Sequence, residues 1–435
     1  MKICVQGLWH LGSVTAAALS SMGHEVVGLD SDAAALSGLK NGKAPIFEPG
    51  LDAFLRTGID TARLRFIDYP AEIPADIELL WVTFDTPVND DDVADVEFVI
   101  VQASAALPHL PMGCTVLVSS QLPVGSVRRL EAAAAELCPG KQLGFAASPE
   151  NLRLGKALDV FLKPDRVIVG TRHFRDRERI AQMLKPIEAR LEWMSVESAE
   201  MTKHAINAFL ATSVVFANEI ASLCEFEGAD AKEVERGLKS EQRIGPKAYL
   251  GPGGAFAGGT LARDIEFLKA ISQRRQLPIP MLESVKTSND AHKNWVRRRL
   301  VALLPILKEV PITVWGLTYK AGTDTLRRSL AVELCNWLLD QGAKLTVHDP
   351  VVNALPNEWQ GRVLRSDDAL QALRGSRVLI VGTEWLEYRE VSAAQASDAA
   401  PGLLVLDANR FLSEWMTQPG FTHIAVGTPS KGFQL

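Results

Sequence analysis

The sequence predicts an α/β protein with two doubly wound parallel sheets joined by a long central helix. Strand-like and helical runs alternate up to about residue 170, one long helical pattern follows, and the alternation resumes near residue 310. Such alternation favours parallel sheets covered by helices. The chain has 435 residues, of which 47% are apolar, so it is long enough for two or three domains with their own cores.

The first 30 residues have a βαβ pattern. KICVQ predicts a strand, GLWHLG a turn, SVTAAALSSMG a helix and HEVVGLD a second strand that ends at Asp30. Further strand-like runs are ELLWVT at 78–83, TVLVS at 115–119 and RVIVG at 166–170. We expect these elements to form an N-terminal domain over residues 1–196.

From about residue 197, apolar residues recur at three- and four-residue spacing, with no Pro or Gly before Gly228. This predicts one long helix, with Ser198 as its N-cap. A helix of this kind serves as a dimer interface or as a buried core helix, and the pattern fits both. With a second helical stretch that ends near residue 308, it predicts a helical domain over 197–308.

The β-α alternation then resumes in a second α/β domain, expected over residues 309–435. PITVWGL predicts a strand and RRSLAVELCNWLLDQG a helix. The runs AKLTVHDP, RVLIVGTEW and LLVLDANR predict three more strands.

Composition limits the partners and the compartment. The formal charge of −6 and the pI near 5.8 argue against nucleic acid as a partner. No apolar run reaches the ~20 residues of a membrane span, and we expect no signal peptide. The five cysteines are scattered and have no C-x-x-C spacing, which indicates free thiols in a reducing cytosol and gives no support for a metal site. We therefore expect a cytoplasmic protein without a membrane partner.

The βαβ pattern at the N-terminus has the layout of a Rossmann-like dinucleotide-binding unit. In such a unit the pyrophosphate lies at the helix N-terminus, and an acid at the end of the second strand binds the ribose. An acid there favours NAD over NADP. The middle glycine of the fingerprint is replaced by Trp9, so a unit of this shape that binds no nucleotide is the alternative. The expected cofactor contacts are Gly7, Trp9, Leu11, Gly12 and Asp30.

Three polar residues outside this turn are candidates for chemistry. Lys203 and Asn207 are four residues apart and therefore share one face of the long helix. Facing a nicotinamide, they would handle a proton and orient an alcohol; otherwise the lysine is snorkelling or paired. Glu150 follows a strand, where open α/β sheets bind ligands, although a loop glutamate is more often only solvated.

Six ordered motifs connect these parts. They are NGKAPIFEPGL, SPENLRLGKALDVFLKPDRVIVG, AEMTKHAINAFLATSVVFANEIASLCEFEGAD, PGGAFAGGTLARD, GLTYKAGTDTLRRS and GTEWLEYR. Over nearly its whole length, the chain resembles the UDP-glucose/GDP-mannose dehydrogenase family. The resemblance implies an NAD domain, a central helical dimer spine and a nucleotide-sugar domain. It also implies two oxidations of the sugar's C6 alcohol, which give the carboxylate and use two NAD.

The resemblance assigns expected roles to individual residues. Lys203, Asn207 and Asp264 match proton-transfer and orienting positions, and Glu150 matches the acid of the late hydrolytic step. Expected substrate contacts are Arg243, which in some members reaches the substrate from the partner subunit, together with Phe256, Lys320 and Arg327. Thr86, Pro87 and Gln121 are expected on the cofactor side.

The sequence departs from the family pattern at the nucleophile. Where the family loop reads approximately GFGGSCFPKD, this chain reads AFAGGTLARD, so Thr260 stands at the position of the catalytic cysteine. That cysteine forms a thiohemiacetal and then a thioester, and an alcohol is a far weaker acid than a thiol of pKa about 8.5. Gln121 stands where a catalytic threonine is expected, and Asn409 where the family has arginine.

These features predict NAD-dependent oxidation of a nucleotide sugar with an altered or absent second oxidation. A non-catalytic nucleotide-sugar or dinucleotide binder of the same fold is the alternative. A dehydrogenase with another hydroxylated substrate is a third reading. Homodimerisation is expected from the resemblance and from the long helix.

Overall fold

The computed structural model describes residues 1–89, 94–150, 152–257 and 259–429. The chain divides into two compact units, Met1–Ile206 and Asn207–Leu435. The expected division into three domains, 1–196, 197–308 and 309–435, stays a prediction.

The first unit is built on an eight-stranded sheet with the order β3-β2-β1-β4-β5-β6-β7-β8. Its strands are β1 Lys2–Gln6, β2 Glu25–Leu29, β3 Leu64–Ile67, β4 Leu79–Val82, β5 Thr115–Val118, β6 Gly144–Ala147, β7 Arg166–Thr171 and β8 Arg190–Met194. Its helices are α1 His10–Ser21, α2 Ala33–Lys40, α3 Leu51–Asp60, α4 Val96–Ala106, α5 Ser126–Leu137, α6 Ala157–Leu162 and α7 Phe174–Met183.

This sheet confirms the predicted α/β fold, with one reversal of direction. All neighbouring strands are parallel except β6 and β7, which pair antiparallel through Ala146–Thr171 and Ala147–Gly170. Apolar clusters fill both faces of the sheet because the strand residues are buried on either side. The carboxyl ends of β1, β2 and β4 therefore lie at one edge of the sheet.

The long helix, α8, extends over Val196–Glu227. It begins two residues before the expected cap, so Ser198 lies in its first turn; the Ser195 hydroxyl accepts the Ser198 N–H at 3.3 Å. In the part of the chain that the structure describes, α8 is the one helix long and apolar enough to cross a membrane. Core helices of soluble proteins often have the same length and composition, so this is weak evidence for a membrane span. Four shorter helices follow: α9 Ala231–Ser240, α10 Thr260–Arg275, α11 Pro280–Lys293 and α12 Trp295–Leu303.

The second unit also contains a six-stranded parallel sheet with the order β11-β10-β9-β12-β13-β14. Its strands are β9 Pro311–Trp315, β10 Lys344–His348, β11 Val363–Arg365, β12 Val378–Val381, β13 Leu404–Leu406 and β14 Thr422–Ile424. Its helices are α13 Leu330–Asp340, α14 Ala369–Leu373 and α15 Ala393–Ala399. One apolar cluster joins the sheet to the end of α8 and to α12.

Candidate active site

The turn between β1 and α1 has the geometry of a dinucleotide cradle. The Asp30 carboxylate accepts the backbone N–H of Leu8 at 2.6 Å and that of Asp32 at 3.0 Å, which fixes it at the end of β2. A Cβ on Gly12 would lie 1.7 Å from the Gly7 carbonyl oxygen, so only glycine allows α1 to approach the strand this closely. The cradle and the half-buried acid fit an NAD molecule.

Trp9 stands in this turn at the position of the middle glycine of the dinucleotide fingerprint. Its side chain is 48% exposed, and it provides no side-chain cap to the helix that follows. The Leu11 N–H points to a neighbouring carboxylate, that of Asp85, at 3.3 Å.

Lys203 and Glu150 are brought together in the first unit. The Lys203 ammonium donates to the Glu150 carbonyl oxygen at 2.6 Å and lies 3.9 Å from its carboxylate. The Lys203 side chain is 10% exposed. A lysine held beside a carboxylate in this way can both donate and accept a proton during alcohol oxidation.

The same side of the sheet holds Gln121 and Thr86. The Thr86 hydroxyl donates to the Gln121 carbonyl oxygen at 2.8 Å. The side-chain nitrogen of Gln121 is buried and has no hydrogen-bond partner among the described residues. Gln121, Glu150 and Lys203 line a cavity of about 30 Å³, which is large enough for a water molecule.

Glu200, which the sequence did not single out, organises one wall of this cavity. Its carboxylate accepts the N–H groups of Gly125 at 2.7 Å and Val127 at 3.0 Å, at the start of α5. Burial raises the pKa of Glu200, and these two hydrogen bonds oppose that shift. A carboxylate is favourable at a helix N-terminus, which explains this contact once the fold is known. The sequence could not predict it, because no local pattern connects Glu200 with Gly125, 75 residues away.

In the second unit, Asp264 is fully buried and accepts a hydrogen bond from the Asn207 side-chain amide. Thr260 is the first residue of α10, one helical turn before Asp264, and it is exposed. The structure therefore brings together Asn207 and Asp264, whose roles in proton transfer and orientation stay predictions. Thr260 stands on the same helical face as Asp264.

Amide and imidazole side chains hold the backbone of the loop before α10. Asn218 accepts the Gly253 N–H at 2.9 Å, and His292 binds the Gly253 carbonyl at 2.8 Å. Asn289 forms hydrogen bonds with both the N–H and the carbonyl of Phe256, at 3.0 and 2.8 Å. Sequence reasoning missed all three, because polar residues within helical patterns carry no sign of what they contact.

Asn409 contacts the same loop. Its side-chain oxygen accepts the Gly254 N–H at 2.6 Å. A Cβ on Gly253 would lie 2.2 Å from that oxygen, so glycine at this position is what allows the approach. The Asn409 amide thus positions the loop backbone.

A cavity of about 880 Å³ lies at the carboxyl ends of β9, β12 and β13 in the second unit. Its basic lining residues are Lys286, Lys293, Arg297 and Lys320. Its volume suits a nucleotide sugar, and its cations suit a diphosphate.

The other expected substrate contacts lie outside the residues that line this cavity. Arg327 is exposed in the loop before α13, and Phe256 packs against an apolar cluster of the helical region. Arg243 is exposed after α9 and pairs with Glu241 at 3.0 Å. Their contacts with substrate stay predictions, as does a role for Arg243 across a dimer.

Comparison with known proteins connects these parts. Residues 1–188 match the NAD binding domain of the UDP-glucose/GDP-mannose dehydrogenase family, 197–291 its central domain and 313–414 its UDP binding domain. The chain is 32% identical to UDP-glucose 6-dehydrogenase of Pseudomonas aeruginosa, over 99% of this chain and 98% of that protein. It belongs to the UDP-glucose/GDP-mannose dehydrogenase family.

Further relatives support this membership. UDP-glucose 6-dehydrogenase of Rhizobium meliloti is 30% identical, over 99% of this chain and all of that protein. The solved structure of a UDP-glucose dehydrogenase from Pyrobaculum islandicum aligns with a TM-score of 0.87 at 28% identity, covering 99% of this chain and 98% of the other. The predicted NAD cofactor, the nucleotide-sugar domain and the oxidoreductase class are confirmed.

Proposed function

We propose that this dehydrogenase oxidises the C6 alcohol of a UDP-sugar of the UDP-glucose type, and that its second oxidation is altered or absent. The observation that carries the proposal is Thr260 at the start of α10, one turn before the buried Asp264. Lys203, Glu150, Asn207 and Asp264 supply the proton handling and orientation that the first oxidation needs.

No cysteine of the chain can replace the missing nucleophile. All five cysteines are buried. Burial raises the pKa of Cys114 to about 12 and that of Cys335 to about 12, and it also raises the pKa of Cys4 and Cys224. Since the thiolate is the reactive form, burial and a raised pKa both disfavour these thiols as nucleophiles.

Without a thiol, the aldehyde formed by the first hydride transfer is not held as a thiohemiacetal. It leaves the enzyme, or its hydrate is oxidised without a covalent intermediate. NAD bound to the first unit would accept the hydride. The cavity beside Gln121 and Lys203 offers a place for the water that adds to the aldehyde carbonyl and forms this hydrate.

The test is to incubate the purified protein with NAD and a panel of UDP-sugars, and to record product mass and NADH per sugar. We expect an aldehyde with one NADH, or an acid with two NADH and no acyl-enzyme. An acyl-enzyme trapped together with two NADH would refute the altered chemistry. NADH formation with none of the sugars would refute the dehydrogenase proposal.

Thr260→Cys tests the loop itself. We expect this variant to become sensitive to thiol alkylation, whereas the wild type resists it because its cysteines are buried. If Gln121 limits the second step, acid formation through a thioester will need Thr260→Cys together with Gln121→Thr. Thr61→Cys, at an exposed threonine of the first unit, is the matched control: it should be alkylated without loss of activity.

A homodimer is the second part of the proposal. Phe209, Phe216 and Leu223 recur every seven residues on α8 and are 69%, 45% and 61% exposed, so they form one apolar stripe. We expect a mass of twice 47.4 kDa in light scattering, and Phe216→Glu to reduce it to the monomer. Phe174→Glu, at another exposed phenylalanine, should leave the mass unchanged. A monomeric wild type would contradict this.

We also propose that the protein acts in the cytoplasm without a membrane partner. The five free, buried cysteines support a reducing compartment. Fractionation of cells should therefore recover it with the soluble proteins, and recovery with membranes would contradict the proposal.

A further inference from the structure

A carboxylate of the protein lies on the N-terminus of α1. Oδ2 of Asp85 accepts the backbone N–H of His10 at 3.1 Å and that of Leu11 at 3.3 Å. These are the first two residues of the helix, and the residue before it, Trp9, provides no side-chain cap. Asp85 thus satisfies donors that an α-helix leaves unpaired at its start.

Asp85 reaches this position from the neighbouring strand. It follows β4, which pairs directly with β1. Asp85 is exposed to solvent, while atoms of neighbouring segments surround its carboxylate. No local sequence pattern marks the contact, because 75 residues separate Asp85 from His10.

The same two N–H groups are those that a dinucleotide pyrophosphate would use. In a βαβ unit of this kind the pyrophosphate lies against the start of the first helix, where N–H groups and the helix dipole favour an anion. The Gly12 contact and Asp30 at the end of β2 confirm that α1 is that helix. Two anions cannot accept the same pair of donors at once.

We propose that Asp85 is an internal competitor of the NAD pyrophosphate, so that NAD binds only when this carboxylate leaves the α1 N-terminus or is protonated. Asp85 therefore sets the affinity for the cofactor. The inference rests on the family's NAD cofactor and is independent of whether the second oxidation is altered.

The charges around Asp85 determine the effect of pH. Burial is the largest influence and raises the pKa of Asp85, and the charge of Glu150 acts in the same direction. The N–H groups of Leu11 and His10 and the charge of His10 oppose the rise. The His10 ring also lies 3.0 Å from the Glu48 carboxylate. Protonation of Asp85 removes its negative charge, so lowering the pH should strengthen NAD binding.

The experiment is calorimetric titration of NAD into the wild type, Asp85→Asn and Asp85→Ala. We expect about tenfold tighter binding by both variants, because a carboxylate no longer opposes the diphosphate. Asp76→Asn is the matched control: it removes an exposed negative charge that pairs with Lys2, at the opposite end of β1, and should leave the dissociation constant unchanged.

Two further titrations, one with fragments of NAD and one at several pH values, test whether the pyrophosphate is the group that competes with Asp85. ADP-ribose, which has the pyrophosphate, should show the same gain on Asp85→Asn, whereas adenosine, which lacks it, should not. Between about pH 8 and about pH 5.5, the wild type should bind NAD increasingly tightly while Asp85→Asn changes less. Thermal unfolding of each variant verifies that it is folded.

Equal or weaker NAD binding by Asp85→Asn and Asp85→Ala would overturn the proposal, as would an equal gain for adenosine. Absence of binding in all variants would overturn it too. Since the readout is binding, these results are separate from the number of NADH formed per sugar, which tests the proposed function.

Discussion

In each of the two α/β sheets of this protein, the first strand is followed by the same kind of turn, but the aspartate that the turn contacts has a different environment in each. Gly7 and Gly316 have φ angles of +89° and +86°. The next N–H, of Leu8 or Leu317, donates to an aspartate at the end of the second strand, at 2.6 Å to Asp30 and 2.7 Å to Asp349.

The environment of the two acids differs. Asp30 is half-buried and accepts N–H groups from Leu8 and Asp32. Asp349 is 4% exposed and is surrounded by donors. These donors are the N–H groups of Leu317, Thr318, Val351 and Val352 and the indole of Trp385. A carboxylate with this many internal partners stabilises the fold, whereas Asp30 keeps acceptor capacity for a ribose.

The helices that follow differ as well. In the first unit α1 starts three residues after Gly7, without a side-chain cap of its own, and its N–H groups face Asp85. In the second unit α13 starts much later and is capped by Ser329, whose hydroxyl accepts the Val332 N–H at 3.3 Å. A short turn whose helix start has no cap of its own fits a dinucleotide, and the longer loop leaves room for a nucleotide sugar.

The largest expected effect is a difference in stability between variants of Asp349 and Asp30. Asp349→Asn should lower the free energy of unfolding by about 3 kcal/mol, since the new amide NH₂ faces buried donors. Asp30→Asn should cost less than about 1 kcal/mol but weaken NAD binding. Urea unfolding and NAD titration of both variants measure this. Equal loss of stability in the two would contradict the comparison.

A smaller difference in stability is expected between variants at the starts of α13 and α1. Ser329→Ala should destabilise the protein by about 1 kcal/mol, because it removes the cap of α13. Trp9→Ala should change stability by less than about 0.5 kcal/mol, because Trp9 caps nothing and is 48% exposed. Both shifts can be read from the urea midpoint at constant m-value. A larger loss for Trp9→Ala would mean that its side chain supports the turn.

The smallest expected effect concerns pH. His348 precedes Asp349 as Leu29 precedes Asp30, and burial lowers the pKa of His348. As pH falls through the ordinary histidine pKa of about 6.5, the unfolded chain gains a proton that the folded chain resists, so stability falls.

His348→Leu should therefore reduce the loss of stability between neutral and mildly acidic pH. The remaining loss comes from His24 and His292, whose pKa values burial also lowers. His109→Leu, at an exposed histidine, is the control. An unchanged pH dependence in His348→Leu would show that this histidine does not contribute.

Local patterns predicted the elements whose residues have clear periodicity. The runs that form β1, α1, β2, β9 and α13 were predicted within a few residues. β6, with the sequence GFAA, was predicted only as the strand that Glu150 follows, because glycine and alanine are poor strand residues and give no clear pattern of their own. The reversed direction of β7 was missed because strand direction depends on how the chain returns to the sheet.

The candidate site was predicted in part. The helical spacing of Lys203 and Asn207 and the resemblance led to the contacts with Glu150 and Asp264. The roles of Glu200, Asn218 and Asn289 were not predictable, because each binds backbone far away in sequence.

The sequence by itself determined the class of fold and the family, since these depend on residue type, order and short-range periodicity, and it supplied the prediction that Thr260 stands at the position of the catalytic cysteine. Only the tertiary structure decided which acid keeps acceptor capacity and which carboxylate lies on the α1 amides. Asp30 and Asp349 end similar strands, and Asp85 lies in an ordinary loop sequence. Their different uses follow from hydrogen-bond donors and burial that distant segments supply on folding.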